Sequence, residues 1–256
     1  MIDPRAIVDP GARLAPDVTV GPWSMIGPDV EIGPGCEIGP HVVIKGPTRI
    51  GRDNRFFQFA SIGEVPQDKK YHGEDTVLEI GDRNVIREFV TMHRGTVQGG
   101  NVTRLGSDNL IMANVHIAHD CIVGSHTIFA NNASLAGHVV VEDHVILGGY
   151  SLVHQFCTIG AHSFSAAASL ITKDVPPFVL VSGHMAKPYG LNVEGMRRRG
   201  FAPETVRKLR QAYRILYRMN LPLSRALEEL RDLAVDCPEV GAMADFIERS
   251  RRGIVR

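Results

Sequence analysis

The amino-acid sequence predicts a mainly β protein: a parallel β-helix of hexapeptide repeats followed by a C-terminal α-helical domain. Three observations carry that expectation. From Ile111 to Ser163 every sixth residue is aliphatic or Phe: Ile111, Ile117, Val123, Phe129, Leu135, Val141, Leu147, Val153 and Ile159. Strands alternate every two residues and helices every 3.6, so a strict period of six belongs to neither alone and marks a solenoid. The same phase opens the chain, at Ile2, Val8, Leu14, Val20, Ile26, Ile32, Ile38, Ile44, Ile50, Phe56 and Ile62. Beyond Pro203 the pattern changes: Val206, Leu209, Tyr213 and Leu216 follow at spacings of three and four, as on one face of a helix.

Taken in order, each block supplies one strand and one corner. Gly-Pro pairs recur in register at Gly21-Pro22, Gly27-Pro28, Gly33-Pro34 and Gly39-Pro40, and read as periodic turns. Four residues after each leading aliphatic sits a small or β-branched residue (Ala6, Ala12, Val18, Ser24, Val30, Cys36, Val42, Thr48), so a narrow interior is filled by alternating large and small side chains. Three blocks make a triangular coil, and residues i and i+18 stack at the parallel-strand spacing of ~4.8 Å. The phase breaks twice. After Ile62 the leading positions would be Asp68 and Glu74, which cannot line a core unpaired, so GEVPQDKKYHGEDT is an excursion. Leu105 then follows Met92 by thirteen residues instead of twelve, which places an insertion near residues 98–101. The repeat ends at DVPPF, residues 174–178, and Pro203, Pro222 and Pro238 open three amphipathic helices, the last two near 223–235 and 239–251. Residues 1–189 are expected to form the β-helix, and residues 190–256 a helical domain that covers its last coil.

With 256 residues, 44% of them hydrophobic, the chain can bury a large core. The N-terminal MIDPRAIVDPGAR has no apolar signal core, and no run approaches the ~18 apolar residues of a membrane span, so a soluble cytoplasmic protein is expected. Cys36, Cys121, Cys157 and Cys237 form no CxxC pair and read as free thiols. The formal net charge is zero, yet Arg197, Arg198, Arg199, Arg207, Lys208, Arg210, Arg214 and Arg218 face a single acid, Glu204, across that stretch. Such a run is either a solvated basic face or a dock for an acidic partner or a phosphate.

Sorting the histidines by column separates them. His126, His144 and His162 are each 18 apart on one edge with no carboxylate or thiolate column beside them, so they read as corner residues and not as a metal site. The neighbouring edge reads IAHD, LAGH and VHQF, with His119 one coil below Gly137 and two below Gln155, and Asp120 one coil below His138. A histidine beside a carboxylate and next to the open space of a glycine has what a general base needs: an orienting partner and room for substrate.

The motifs IGEVPQDKKY, TMHRGTVQGG, NVHIAHDC, LAGHV, LVHQFC, IGAHS, DVPP and NVEGMRRRGF, in this order, resemble the acyl-carrier-protein:UDP-N-acetylglucosamine 3-O-acyltransferases. These are hexapeptide-repeat acyltransferases that open lipid A biosynthesis. The resemblance spans essentially the whole chain. It implies a left-handed parallel β-helix, the opposite hand to the general rule for parallel crossovers. It implies transfer of a 3-hydroxyacyl chain from acyl carrier protein to the 3-hydroxyl of UDP-N-acetylglucosamine. His119 would be the general base, Asp120 its orienting partner and the Gly137 N–H the oxyanion donor. Substrate contacts would fall to Gln67, Asp68, Lys70, His93, His116, His138, His154 and Gln155, and nucleotide contacts to Asn192, Glu194, Arg198 and Arg199. Gly149 and Ala167 would line the acyl groove, with Ala167 setting chain length near twelve carbons. The resemblance further implies a homotrimer with sites between subunits, no cofactor, no metal and no nucleic-acid partner.

Three other readings remain open to the residues alone. A related N-acyltransferase of the same pathway would use an amine acceptor. A γ-class carbonic anhydrase shares the prism and holds zinc on interfacial histidines. A purely structural solenoid would have no turnover.

Overall fold

The computed structural model describes all 256 residues. Twenty-seven short strands wind into three sheets of nine, eight and ten strands, parallel except for the last strand, that form the sides of a triangular prism. The leading residues point inward: Ile26, Ile44, Ile62, Met92, Ile117 and Leu135 are fully buried and stack along one side. Ile117 pairs with Leu135, Leu135 with Val153 and Val153 with Ile171, the coil-to-coil step read from the sequence. For convenience the side carrying Ile117 is called the first, that carrying Val123 the second and that carrying Phe129 the third.

Most corners turn through a residue in the left-handed region, three positions after the leading aliphatic. Asp120 (φ 62), His126 (φ 58), Asn132 (φ 63), His138 (φ 62) and His144 (φ 61) all do so. Asn, Asp and His tolerate this region better than other non-glycine residues, which explains why histidines collect at corners. The column His126, His144, His162 stacks ring on ring at 4.8 and 4.6 Å. It is not solvated throughout, because Phe178 stacks on His162 at 5.2 Å and Phe201 meets it edge-on at 5.1 Å.

Both interruptions are excursions from the corner between the first and second sides. Ile62 pairs with Met92 and Ile50 with Ile80, so the first excursion lengthens one coil from 18 residues to 30. Met92 pairs with Ile117 and Ile80 with Leu105, so the next coil takes 25 residues. Leu105 is therefore the next leading residue after Met92. The insertion is longer than the single residue inferred from the thirteen-residue spacing, because no leading residue lies between them; it spans the ³₁₀ turn Val97–Gly99.

Asparagine holds the coils in register across these unequal lengths. At the small inward position Asn54 Oδ1 accepts from the Asn84 N–H (2.9 Å), Asn84 Oδ1 from the Asn109 N–H (3.0 Å) and Asn109 Oδ1 from the Thr127 N–H (2.7 Å). All four residues are buried. A side-chain amide there satisfies the backbone N–H of the coil above, which would otherwise be buried without a partner.

The prism ends in an antiparallel pair, Val179–Ser182 with Lys187–Leu191, so residues 189 and 190 lie within its second strand. Four helices follow: α1 (Val193–Arg198), α2 (Pro203–Tyr217), α3 (Leu223–Ala234) and α4 (Pro238–Arg249). The aperiodic stretch before α1 hid it from the sequence reading; Asn192 caps it by accepting from the Gly195 N–H at 3.0 Å. α2 buries Leu209, Ala212, Tyr213, Ile215 and Leu216. The C-terminal residues return to the prism, where the Val255 N–H donates to the Asp174 carbonyl (2.8 Å) and Ser250 Oγ to Asp174 Oδ2 (2.6 Å). Backbone groups of the last coil are thereby covered.

Asn84→Ala leaves the Asn109 N–H, Asn54 Oδ1 and the Gly106 carbonyl each short of a partner. At about 1–3 kcal/mol per unsatisfied buried group, its melting temperature falls further than that of Ile86→Val, which removes one core methyl for about 1 kcal/mol. Thermal unfolding of the two variants compares them directly, and an equal or smaller fall for Asn84→Ala contradicts the role of the ladder.

Candidate active site

The corner that bears both excursions also bears His119 and Asp120, one coil on. Asp120 turns the corner in the left-handed conformation, and its carboxylate is fully buried. Oδ2 lies 2.7 Å from His119 Nδ1, so the Nδ1–H donates to the carboxylate and Nε2 is left as an acceptor. One coil above, Gly137 covers the ring: a Cβ there would lie 2.7 Å from His119 Cε1 and 2.9 Å from Nε2. Only glycine admits so close an approach.

Other imidazoles surround the pair. His138 meets His119 edge-on at 5.2 Å, stacks on Phe156 at 4.5 Å and holds Nε2 3.6 Å from Asp120 Oδ2. His93 and His116 meet edge-on at 5.0 Å, and Thr91 Oγ1 lies 2.7 Å from His116 Nδ1. Burial pushes His93 down to about 4 and lowers His116 and His138; at His138 the negative charges of Asp120 and Asp68 oppose that shift. The rings of His93, His116 and His138 are thus neutral near pH 7. The excursion carrying Asp68 reaches this corner, with Gln67 and Lys70 exposed upon it.

The remaining expected residues fall elsewhere on the prism. His154 and Gln155 are exposed, one coil beyond Gly137 on the same corner. Arg198 and Arg199, with Asn192 and Glu194, border a groove of about 510 Å³ over the outer face of the third side, where Ile128 and Ile146 form the wall. Within that group Arg198 pairs with Glu194 (3.2 Å) and Arg199 donates to the His144 carbonyl (3.3 Å). Gly149 and Ala167 lie at the third corner, with Ala167 exposed, and a Cβ on Gly149 would meet only the Asn131 carbonyl at 3.3 Å. One protomer therefore unites His93, His116, His119, Asp120, Gly137 and His138, and leaves the other two groups apart.

The description "Bacterial transferase hexapeptide (six repeats)" matches residues 11–46 and 103–137, and "Udp N-acetylglucosamine O-acyltransferase; Domain 2" matches residues 174–255. The LpxA of Acinetobacter baumannii is 52% identical over 100% of this chain and 99% of its own, with a TM-score of 0.97. That of Moraxella catarrhalis is 49% identical over 100% and 99%, also at 0.97. The UDP-N-acetylglucosamine acyltransferase of Francisella novicida is 42% identical over 100% and 94%, at 0.98.

The chain belongs to the UDP-N-acetylglucosamine O-acyltransferase family.

Membership makes it an O-acyltransferase of the first step of lipid A biosynthesis, and gives its prism the left-handed winding of that fold. No helix of this acyltransferase is long and apolar enough to cross a membrane. The sequence reading missed Thr91, Thr96 and Thr103, which hold the candidate site: Thr91 bonds His116, Thr96 donates its N–H and Oγ1–H to the Asp120 carboxylate, each at 2.7 Å, and Thr103 Oγ1 accepts from the Asp120 N–H at 2.7 Å. Only the excursions bring Thr96 there. Its place in HRGTVQGG, between two coils at the same corner, was the one available signal.

Burial also sets a pH limit on stability. His93 and His162 shift from 6.5 to about 4 on folding. Between those values the unfolded chain binds more protons, so the contribution of each ring is complete above 6.5 and is lost as the pH falls toward 4. The melting temperature accordingly drops across this window. His162→Phe, which keeps the ring stack, gives a shallower drop than the wild type; identical slopes contradict the assignment.

Proposed function

We propose that this acyltransferase moves a 3-hydroxyacyl chain from acyl carrier protein to the 3-hydroxyl of UDP-N-acetylglucosamine, with His119 as general base. The observation that carries the proposal is the 2.7 Å bond from His119 Nδ1 to buried Asp120, which turns Nε2 toward the space beside Gly137. Nε2 takes the proton of the sugar hydroxyl, and the freed oxygen attacks the thioester carbonyl carbon. The resulting oxyanion meets the Gly137 N–H, which has no hydrogen-bond partner within the chain. Collapse breaks the C–S bond, and His119 returns its proton to the departing thiolate. His119, Asp120 and His138 bring ligand atoms within 4.8 Å of one another, yet the Asp120 oxygens already accept from Thr96 twice and from His119. That donor set suits proton transfer better than a metal.

The proposal extends to a cytoplasmic homotrimer. The catalytic corner, the Arg198–Arg199 groove and the Gly149–Ala167 corner lie on different parts of one convex prism, so a neighbouring subunit is needed to join them around one substrate. Arg198, Arg199, Asn192 and Glu194 would hold the nucleotide, two adjacent guanidinium groups suiting a diphosphate. Gln67, Asp68, Lys70, His93, His116, His138, His154 and Gln155 would line the sugar and acyl path. Along α2, Arg207, Arg210 and Arg214 border a groove of about 600 Å³ whose charge suits an acidic carrier protein.

His119→Ala leaves a folded protein with at least ~10²-fold lower turnover, the low end of general-base catalysis. The assay uses purified enzyme, UDP-N-acetylglucosamine and 3-hydroxyacyl carrier protein; retention of more than about a tenth of wild-type activity removes His119 from the role.

Chain length offers a second test. A methyl at Ala167, stacked over Gly149, shortens the path for a linear chain by about one or two methylenes, each worth about 0.8 kcal/mol of burial. Competition among donors then shows a preference near twelve carbons on that scale, lengthened in Ala167→Gly and shortened in Ala167→Met. An unchanged preference in both variants assigns the ruler elsewhere.

A further inference from the structure

We propose that Thr96 is the positioning residue of the catalytic pair, and that the second excursion serves as a brace for the Asp120 carboxylate. This rests on His119 being the general base. Asp120 sits at a corner, where an unsupported side chain would face solvent and rotate freely. Instead the excursion folds back over it. The Thr96 N–H donates to Oδ1 at 2.7 Å and Thr96 Oγ1 to Oδ2 at 2.7 Å. From the same turn Gly99 lies flush against the carboxylate: a Cβ there would stand 2.0 Å from Asp120 Cγ. Thr103 Oγ1 accepts from the Asp120 N–H and so fixes the corner's backbone.

Two donors on two different oxygens fix the plane of a carboxylate, whereas one donor leaves it free to swing. The oxygen that Thr96 Oγ1 meets is also the one that accepts from His119 Nδ1. Thr96 therefore sets the direction from which Oδ2 meets the imidazole, and through it where Nε2 points. Charge-assisted bonds at this distance are among the stronger ones, and in the fully buried carboxylate no water competes for them.

The hydroxyl also tunes the pair. Thr96 Oγ1–H and His119 Nδ1–H share Oδ2, so removing the hydroxyl leaves that oxygen to hold the protonated imidazole more strongly. The acid limb of the kcat/KM profile then moves to higher pH. The other titratable groups facing the pair, His93, His116, His138 and Asp68, are unaltered by the substitution.

Thr96→Val removes the hydroxyl at nearly equal volume and retains the N–H. With UDP-N-acetylglucosamine and 3-hydroxyacyl carrier protein, its kcat falls roughly 10- to 10²-fold, the scale of a small misplacement at a reacting group. The KM for the nucleotide is unchanged, the acid limb moves up, and Thr96→Ser restores both. Gly99→Ala displaces the carboxylate from the other side of the turn and lowers kcat likewise, which keeps the test available if Thr96→Val does not fold. Wild-type kcat and pH profile in Thr96→Val overturn the brace. So does lost activity with an unmoved acid limb and no rescue by serine, which indicates a role in folding alone. His119→Ala run in parallel separates the two readings: an active His119→Ala removes the base itself, whereas an inactive one beside a fully active Thr96→Val removes only the brace.

Discussion

The structure depends on the stacking of one inward side chain per coil on each side of the prism. Ile62, Met92, Ile117, Leu135, Val153 and Ile171 form such a column, locked by parallel pairing. Because side chains alternate across a strand, a one-residue slip would turn a whole rung outward. Fixing the inward residues therefore fixes everything between them. The corner after Ile117 must lie below the corner after Leu135, and His119 must lie below Gly137. The geometry of the candidate site is a by-product of core register.

That constraint explains why both excursions are tolerated. Each leaves and rejoins the prism at the same corner, so the coils of 30 and 25 residues keep their three inward contacts. The buried asparagine ladder carries backbone satisfaction past the unequal coils. What projects at the corner is then free to cover the site: the first excursion brings Asp68 toward His138, and the second places Thr96 against Asp120. Two departures from the repeat supply the walls that a convex prism lacks.

Charge follows from the same arrangement. Covering the corner removes water, and burial lowers His93, His116 and His138. Neutral rings can pack edge to face without repelling one another. The buried Asp120 oxygens are satisfied by Thr96 and His119, the usual condition for a polar group inside a protein. A cluster of imidazoles and one carboxylate is thus held together at one corner.

By itself the sequence determined the coil, its columns and the meeting of His119, Asp120, Gly137 and His138. A period of six is visible because each block must return an aliphatic residue to a narrow interior, and from it the alignment of His119 with Gly137 and of Asp120 with His138 follows by counting. The three helices opened by prolines were legible for the same reason, an apolar face at a helical spacing. Counting failed where the chain left the prism. Nothing periodic marks how long the second excursion is, so Leu105 could not be placed relative to Met92, and α1, held by the Asn192 cap and by Arg199 on the His144 carbonyl, has no face of its own to reveal it. Thr96 donates to Asp120 from 24 residues away; only the tertiary structure decided that contact, because the path of a loop is set by the hydrogen bonds it finds on returning and not by any repeat within it.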